Sequence, residues 1–140
     1  MPAILDTSVI IRYFTDDPPG SADEAAAIID GRGELVVPEV MLTETAHVLR
    51  TRYDVQRQEV VDDLVTLLEK SNIRCLVLEN QLAIRALALC RPSGRVSFTD
   101  ALTWAAAHHA AIGQIYTLDQ RFPSAGVTLL AKPRTDDEST

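Results

Sequence analysis

Ala3-Ile4-Leu5-Asp6-Thr7-Ser8-Val9 passes from a wholly apolar run to a helix-like pattern, with an acid at the change. A run with no polar alternation is how a strand covered on both faces reads. Ala3-Ile4-Leu5 is therefore expected as a buried parallel strand, and Ser8 to Phe14 as the helix that follows. Three further segments place an acid at a comparable point. Leu35-Val36-Val37 leads through Pro38 into a helix carrying Glu44, Phe98-Thr99-Asp100-Ala101-Leu102 opens a helix, and Tyr116-Thr117-Leu118 ends at Asp119. In an open parallel α/β sheet, groups just past the carboxyl ends of strands converge on one crevice. Several anions gathered there repel one another unless a cation joins them. The spacing thus points to a divalent-metal site and, through it, to phosphate chemistry.

The remaining segments continue the alternation. Asp16-Asp17-Pro18-Pro19-Gly20 is a turn cluster, and Ser21 to Asp30 reads as a helix with Gly31 just beyond its end. Val55 to Lys70 carries Val60, Val61, Leu64, Leu67 and Leu68 at helical spacing. Ile73 to Leu78 is expected as a strand. Leu82 to Cys90, apolar on all sides except Arg85, is expected as a helix that is deeply buried or lies in a subunit contact. A further helix runs from Ser97 or Thr99 to about Ala111, and Ile115 to Leu118 and Val127 to Ala131 are the last strands. No internal repeat or second domain is visible. The expectation is one domain over residues 1–131, a three-layer α/β/α sandwich with a mainly parallel central sheet, followed by an acidic solvated tail at 132–140.

Bulk properties narrow the classes. The 140 residues are 46% hydrophobic and 24% charged, with a net charge of −7. That length buries roughly 70% of the unfolded surface. No apolar run approaches the ~18 residues of a membrane span, and the first residues lack the basic flank of a signal peptide, so a cytoplasmic setting is expected. Cys75 and Cys90 lie in apolar runs without a C-x-x-C neighbour, which predicts two buried free thiols and no zinc. The acidic balance argues against broad electrostatic capture of nucleic acid. It leaves room for a nuclease, because a bound metal brings local positive charge. The basic residues are mostly arginines, among them Arg50 with Arg52 and Arg91 with Arg95. Arginine suits bidentate phosphate contacts, although scattered surface arginines are common.

Each acid also has an ordinary role. Asp6 precedes a helix and fits an N-cap. Glu44 sits mid-helix, where an exposed glutamate needs no explanation. Asp100 follows Ser97 as in a capping box, and Asp119 fits a turn after a strand. Taken together, four ordinary roles falling at the one edge where such folds place their sites favour a shared site. Mg²⁺ or Mn²⁺ prefers hard oxygen ligands and keeps several waters. Crowding of the acids without metal is expected to raise some of their pKa values. Thr7, Ser8 and Thr117 are hydroxyls beside the acids, able to hold a carboxylate or a water or to satisfy nearby backbone groups. His108 and His109 stand near a helix end, where the dipole favours them. His47 lies one turn after Glu44, within reach of the same site, but a helical histidine has many structural uses.

These segments, with Leu5-Asp6-Thr7-Ser8-Val9, Pro38-x-Val40-x-x-x-Glu44, Phe98-Thr99-Asp100-Ala101-Leu102 and Tyr116-Thr117-Leu118-Asp119-Gln120-Arg121-Phe122 in order, resemble the PIN-domain family of metal-dependent ribonucleases, particularly its VapC-like toxins. The likeness extends from Ala3 to about Ala131, and Phe-Thr-Asp-Ala-Leu is its most specific piece. Ser8 stands where many relatives carry asparagine. The resemblance implies an α/β/α fold, Mg²⁺ or Mn²⁺ at the four acids, and hydrolysis of single-stranded RNA to a 5′-phosphate and a 3′-hydroxyl. Asp6 and Asp100 would be the principal ligands, with Glu44 and Asp119 completing the cluster directly or through water. It also implies a homodimer and a cognate antitoxin that forms a hetero-oligomer with the toxin. Arg91 and Arg95, in a turn-rich loop, are candidate RNA contacts. The alternatives are a housekeeping RNA-processing nuclease without antitoxin, a receiver-like or phosphatase-like Mg²⁺ regulator, and a non-catalytic interaction module. A regulator of that kind usually needs paired acids near the first strand and a late lysine, whereas Asp6 is followed by Thr7 and Ser8.

Overall fold

The computed structural model describes residues 2–131, so the tail expected at 132–140 lies outside the described residues. Eleven elements follow one another: β1 (Ala3–Ile4), α1 (Thr7–Thr15), α2 (Ser21–Ile29), β2 (Leu35–Val37), α3 (Glu39–Thr51), α4 (Arg57–Leu68), β3 (Ile73–Cys75), α5 (Asn80–Cys90), α6 (Phe98–His109), β4 (Gln114–Tyr116) and β5 (Thr128–Leu130). Among the described residues every strand pairing is parallel. The alternation expected from the sequence is present, and the chain is an α/β protein with six helices around parallel strands.

β2 is the centre of the larger sheet, whose order is β1-β2-β3. Its three residues, Leu35, Val36 and Val37, are all buried, which for a parallel strand requires cover on both faces. α1 packs on α2 and α3, while α4, α5 and α6 pack in succession. The core runs through Leu42 and Leu49 of α3, Leu64 and Leu67 of α4, Leu87 of α5 and Trp104 of α6. α5 buries Ala83, Ala86, Leu87 and Cys90, packing on α4 and α6, while Leu89 stays exposed.

Two expectations about strands are corrected. The third strand stops at Cys75 instead of reaching Leu78: the Leu76 amide still donates to the Val37 carbonyl at 3.1 Å, but side chains serve the amides on either side. Asn80 Oδ1 accepts from the Cys75 amide at 2.9 Å, and Glu39 accepts from the amides of Val77 and Leu78. The second correction concerns β1, which is an edge and not a covered strand. β4 and β5 form a separate two-stranded sheet, leaving Ile4 57% exposed while Leu5 is 1% exposed. The smaller sheet is held to α6: Trp104 Nε1 donates to the Ala125 carbonyl at 2.8 Å, and His108 Nε2 lies 2.8 Å from the same oxygen.

Candidate active site

Asp6 and Glu44 meet at one cleft past the carboxyl ends of β1 and β2. The cleft has a volume of about 390 Å³, and Asp17, Arg12, Arg52 and Tyr53 also face it. Asp6 arrives there because the chain leaves β1 and enters α1 at that residue. It is the N-cap, with Oδ2 accepting from the Ser8 amide at 3.0 Å. Hydrogen bonds from Ser8, backbone first and side chain second, hold its carboxyl below the ordinary aspartate value. Glu44 is carried by α3, one residue before the fully buried Thr45.

Thr7 and Thr45 fix the two helices against each other. Thr45 Oγ1 donates to Thr7 Oγ1 at 3.5 Å, and Thr7 Oγ1 is 3.2 Å from Met41 Sδ. Thr7 therefore fastens α1 to α3 and does not turn toward the Asp6 carboxylate. Ser8 is the hydroxyl residue that supports Asp6.

Asp100 and Asp119 do not face this cleft. Asp100 lies in the first turn of α6, where its amide donates to the Ser97 Oγ cap at 3.0 Å. Asp119 follows β4 in a turn: Thr117 Oγ1 accepts from its amide at 3.1 Å, and its Oδ1 accepts from the Arg121 amide at 2.9 Å. The Arg121 guanidinium pairs with it at 3.1 Å. This pairing first, and the backbone bond second, hold the Asp119 carboxyl below its usual range. Asp100 is close enough to add slightly to the stabilisation of the Arg121 cation, after the larger contribution of Asp119. An arginine thus supplies positive charge in the neighbourhood of both acids. The expectation of raised values is reversed at Asp6 and Asp119, because hydrogen-bond donors, and at Asp119 a cation, outweigh the cost of desolvation.

Among the described residues, no three acidic, histidine or cysteine side chains converge closely enough to chelate an ion. The structure thus brings Asp6 and Glu44 to one cleft and sets Asp100 and Asp119 outside it. Mg²⁺ keeps most of its waters and uses one or two carboxylates, and Asp6 and Glu44 both line this solvent-open cleft.

Arg91 is engaged elsewhere, gripping Asp62 of α4 through Nε at 2.9 Å and Nη2 at 3.2 Å, and Arg95 is exposed in the loop before α6. Arg52, one of the arginines suited to phosphate, is a wall of this cleft, whereas sequence reasoning missed Arg12, Asp17 and Tyr53 there. Beyond its place in the turn, Asp17 accepts at Oδ2 from the Tyr53 hydroxyl at 2.6 Å, tying the end of α1 to the end of α3. The one available signal was helical spacing, since Glu44, Val48 and Arg52 follow at four-residue intervals on one face.

Parallel strands feeding helices, with carboxylates just past the strand ends, define a class of α/β domain whose chemistry takes place at that edge. The chain belongs to the PIN-domain family, whose model matches residues 3–127. PIN domains are generally metal-dependent nucleases, so the coarse activity is that of a nuclease domain acting on nucleic acid. No curated protein matches the sequence.

Proposed function

We propose that this PIN domain is an Mg²⁺-dependent endoribonuclease toxin, able to use Mn²⁺ as well, which hydrolyses phosphodiester bonds in single-stranded RNA and is neutralised by a cognate antitoxin. The observation that carries the reading is the meeting of Asp6 and Glu44 on one solvent-open cleft past the ends of β1 and β2. In this reading Asp6 and Glu44 hold the ion, and Asp100 and Asp119 are assigned to the same acidic centre from the family pattern. The ion supplies charge neutralisation and Lewis acidity at the phosphodiester. Hydrogen bonds from Ser8 favour the charged form of Asp6, the form that attracts a cation. Arg12 and Arg52, on the cleft wall, are placed to receive phosphate oxygens and orient the strand. Support for a homodimer comes from the exposed apolar residues Val40, Leu76 and Val77, brought together where Glu39 accepts from the Val77 amide. No helix among the described residues is long and apolar enough to cross a membrane, and a cytoplasmic setting is part of the proposal.

The test uses Asp6→Asn. Asparagine caps a helix about as well as aspartate, so thermal melting should stay at the wild-type value. Cleavage of a labelled single-stranded RNA in Mn²⁺ should fall by about a hundred-fold or more, as it should for the wild type in EDTA. Wild-type cleavage by the purified variant would remove the assignment. The toxin role is checked separately: induction should arrest growth, and co-expression of the small reading frame beside it should relieve the arrest.

A further inference from the structure

We propose that a second cleft, between α3 and the amino end of α6 and walled by His47, Arg50 and Arg57, seats a backbone phosphate of single-stranded RNA beside the Glu44 site. The proposal rests on the nuclease reading and names how that site takes its substrate. The cleft has a volume of about 180 Å³, below the roughly 300–1,000 Å³ of pockets that enclose drug-sized ligands. It suits a small charged group better than a whole nucleoside.

Charge is the first argument. The chain carries −7 overall, and Arg74, Arg91 and Arg121 each pair with a carboxylate. Arg50 and Arg57 do not: among the described residues neither has an acidic partner within ion-pair distance. Two guanidiniums share one small cleft with an imidazole, and an incoming anion would relieve their mutual repulsion.

Rigidity is the second argument. Arg57 Nη1 donates to the carbonyls of Cys90 at 3.3 Å and Val96 at 3.1 Å, and its guanidinium stands 5.1 Å from the centre of the Phe98 ring. It is half-buried and fixed before any ligand arrives, which lowers the entropic cost of binding. Burial first, and the nearby Arg50 second, destabilise the Arg57 cation. Arg50 is exposed at the rim, on the face of α3 that also carries His47.

Position is the third argument. His47 is three residues after Glu44 on α3, and such residues have Cβ atoms roughly 5–6 Å apart. A phosphate held by His47 and Arg50 therefore belongs to a nucleotide next to the one presented to Glu44. The opposite wall contains Ser97 and Thr99 at the start of α6, where the positive end of the helix dipole adds to the attraction.

The experiment measures anisotropy of a fluorescein-labelled ten-nucleotide single-stranded RNA in EDTA, so that binding is read without cleavage. Arg50→Ala should weaken binding roughly ten-fold and reduce the slope of log affinity against log salt by about 0.7, with an unchanged melting temperature. Arg50→Lys should retain part of the affinity. Arg74→Ala, in an exposed pair with Glu34 away from both clefts, should bind as the wild type does. Equal affinity of Arg50→Ala and wild type, or an equal loss in Arg74→Ala, overturns the cleft. Cleavage of the same RNA by the wild type in Mn²⁺ separates the two claims. A wild type that cleaves while Arg50→Ala binds normally refutes the cleft alone. A wild type that does not cleave, but loses affinity on Arg50→Ala, supports the cleft and refutes the nuclease. Absence of any RNA binding by the wild type overturns the cleft.

Discussion

Asp6 caps α1 through Oδ2, and its side chain lines the cleft. The sequence offered both roles and no means of ranking them, because capping and ligation ask for the same residue at the same strand-to-helix step. Asp119 is similar, a turn aspartate and a member of the expected acid set. What no pattern conveyed was the charge environment, since Arg121 is only two residues on yet its side chain could have pointed to solvent. A different acid carries the clearest pH signature. Burial, and then the charges of Glu59 and Asp62, push the Asp63 carboxyl up to about 6. A carboxyl raised in the folded state opposes folding when ionised, so the penalty is full above that value and fades as pH falls toward the unfolded value near 3.8. Asp63→Asn should therefore stabilise the protein by about 1 kcal/mol at pH 8, after allowance for solvent screening of a half-exposed group. Urea titrations at pH 8 and pH 5 should show the gain shrinking at the lower pH; a gain that grows toward acid would contradict this account.

At the scale of elements, α6 joins the two sheets. Its cap, Ser97, was legible as a capping signal, and the structure adds a buried face with Ala101, Leu102, Trp104 and Ala105. Its hold on the loop before β5 was not legible. Trp104 and His108 both reach the carbonyl of Ala125, and a backbone oxygen leaves no mark in the sequence. His108 lies in the last turn of α6, as expected, and in addition has a specific partner 17 residues away. Gly126 belongs to the same contact. Its φ is +77°, and a Cβ there would stand 2.6 Å from His108 Cε1. Gly126→Ala should cost about 1–2 kcal/mol from the backbone alone, with a further loss if His108 is displaced. Trp104→Phe, which keeps the packing and removes one donor, should cost about 1 kcal/mol. Both are read from urea midpoints, and wild-type stability of Gly126→Ala would show that the loop is not held in this way.

For the whole molecule, the number and direction of the strands could be read from the chain, but their adjacency could not. An apolar run says that a strand is buried somewhere; it does not name the neighbour, because pairing depends on surfaces far apart in sequence. β1 illustrates the point, with Leu5 inside and Ile4 outside at an open edge. Ile4→Thr should consequently change stability by no more than about 0.5 kcal/mol, while Leu5→Ala should cost about 2–5 kcal/mol. A large loss for Ile4→Thr in chemical denaturation would mean that the strand is interior. The same division explains the site: Asp6 and Glu44 adjoin through α1 and α3, whereas Asp119 travels with the other sheet. Finally, both thiols are sealed in the larger body, Cys75 on β3 and Cys90 at the end of α5. Burial lifts them to about 12 and about 11, so neither offers a thiolate to an alkylating reagent while the chain stays folded. Iodoacetamide uptake would then serve as an intrinsic clock for opening, one hand on the sheet and the other on the helical flank.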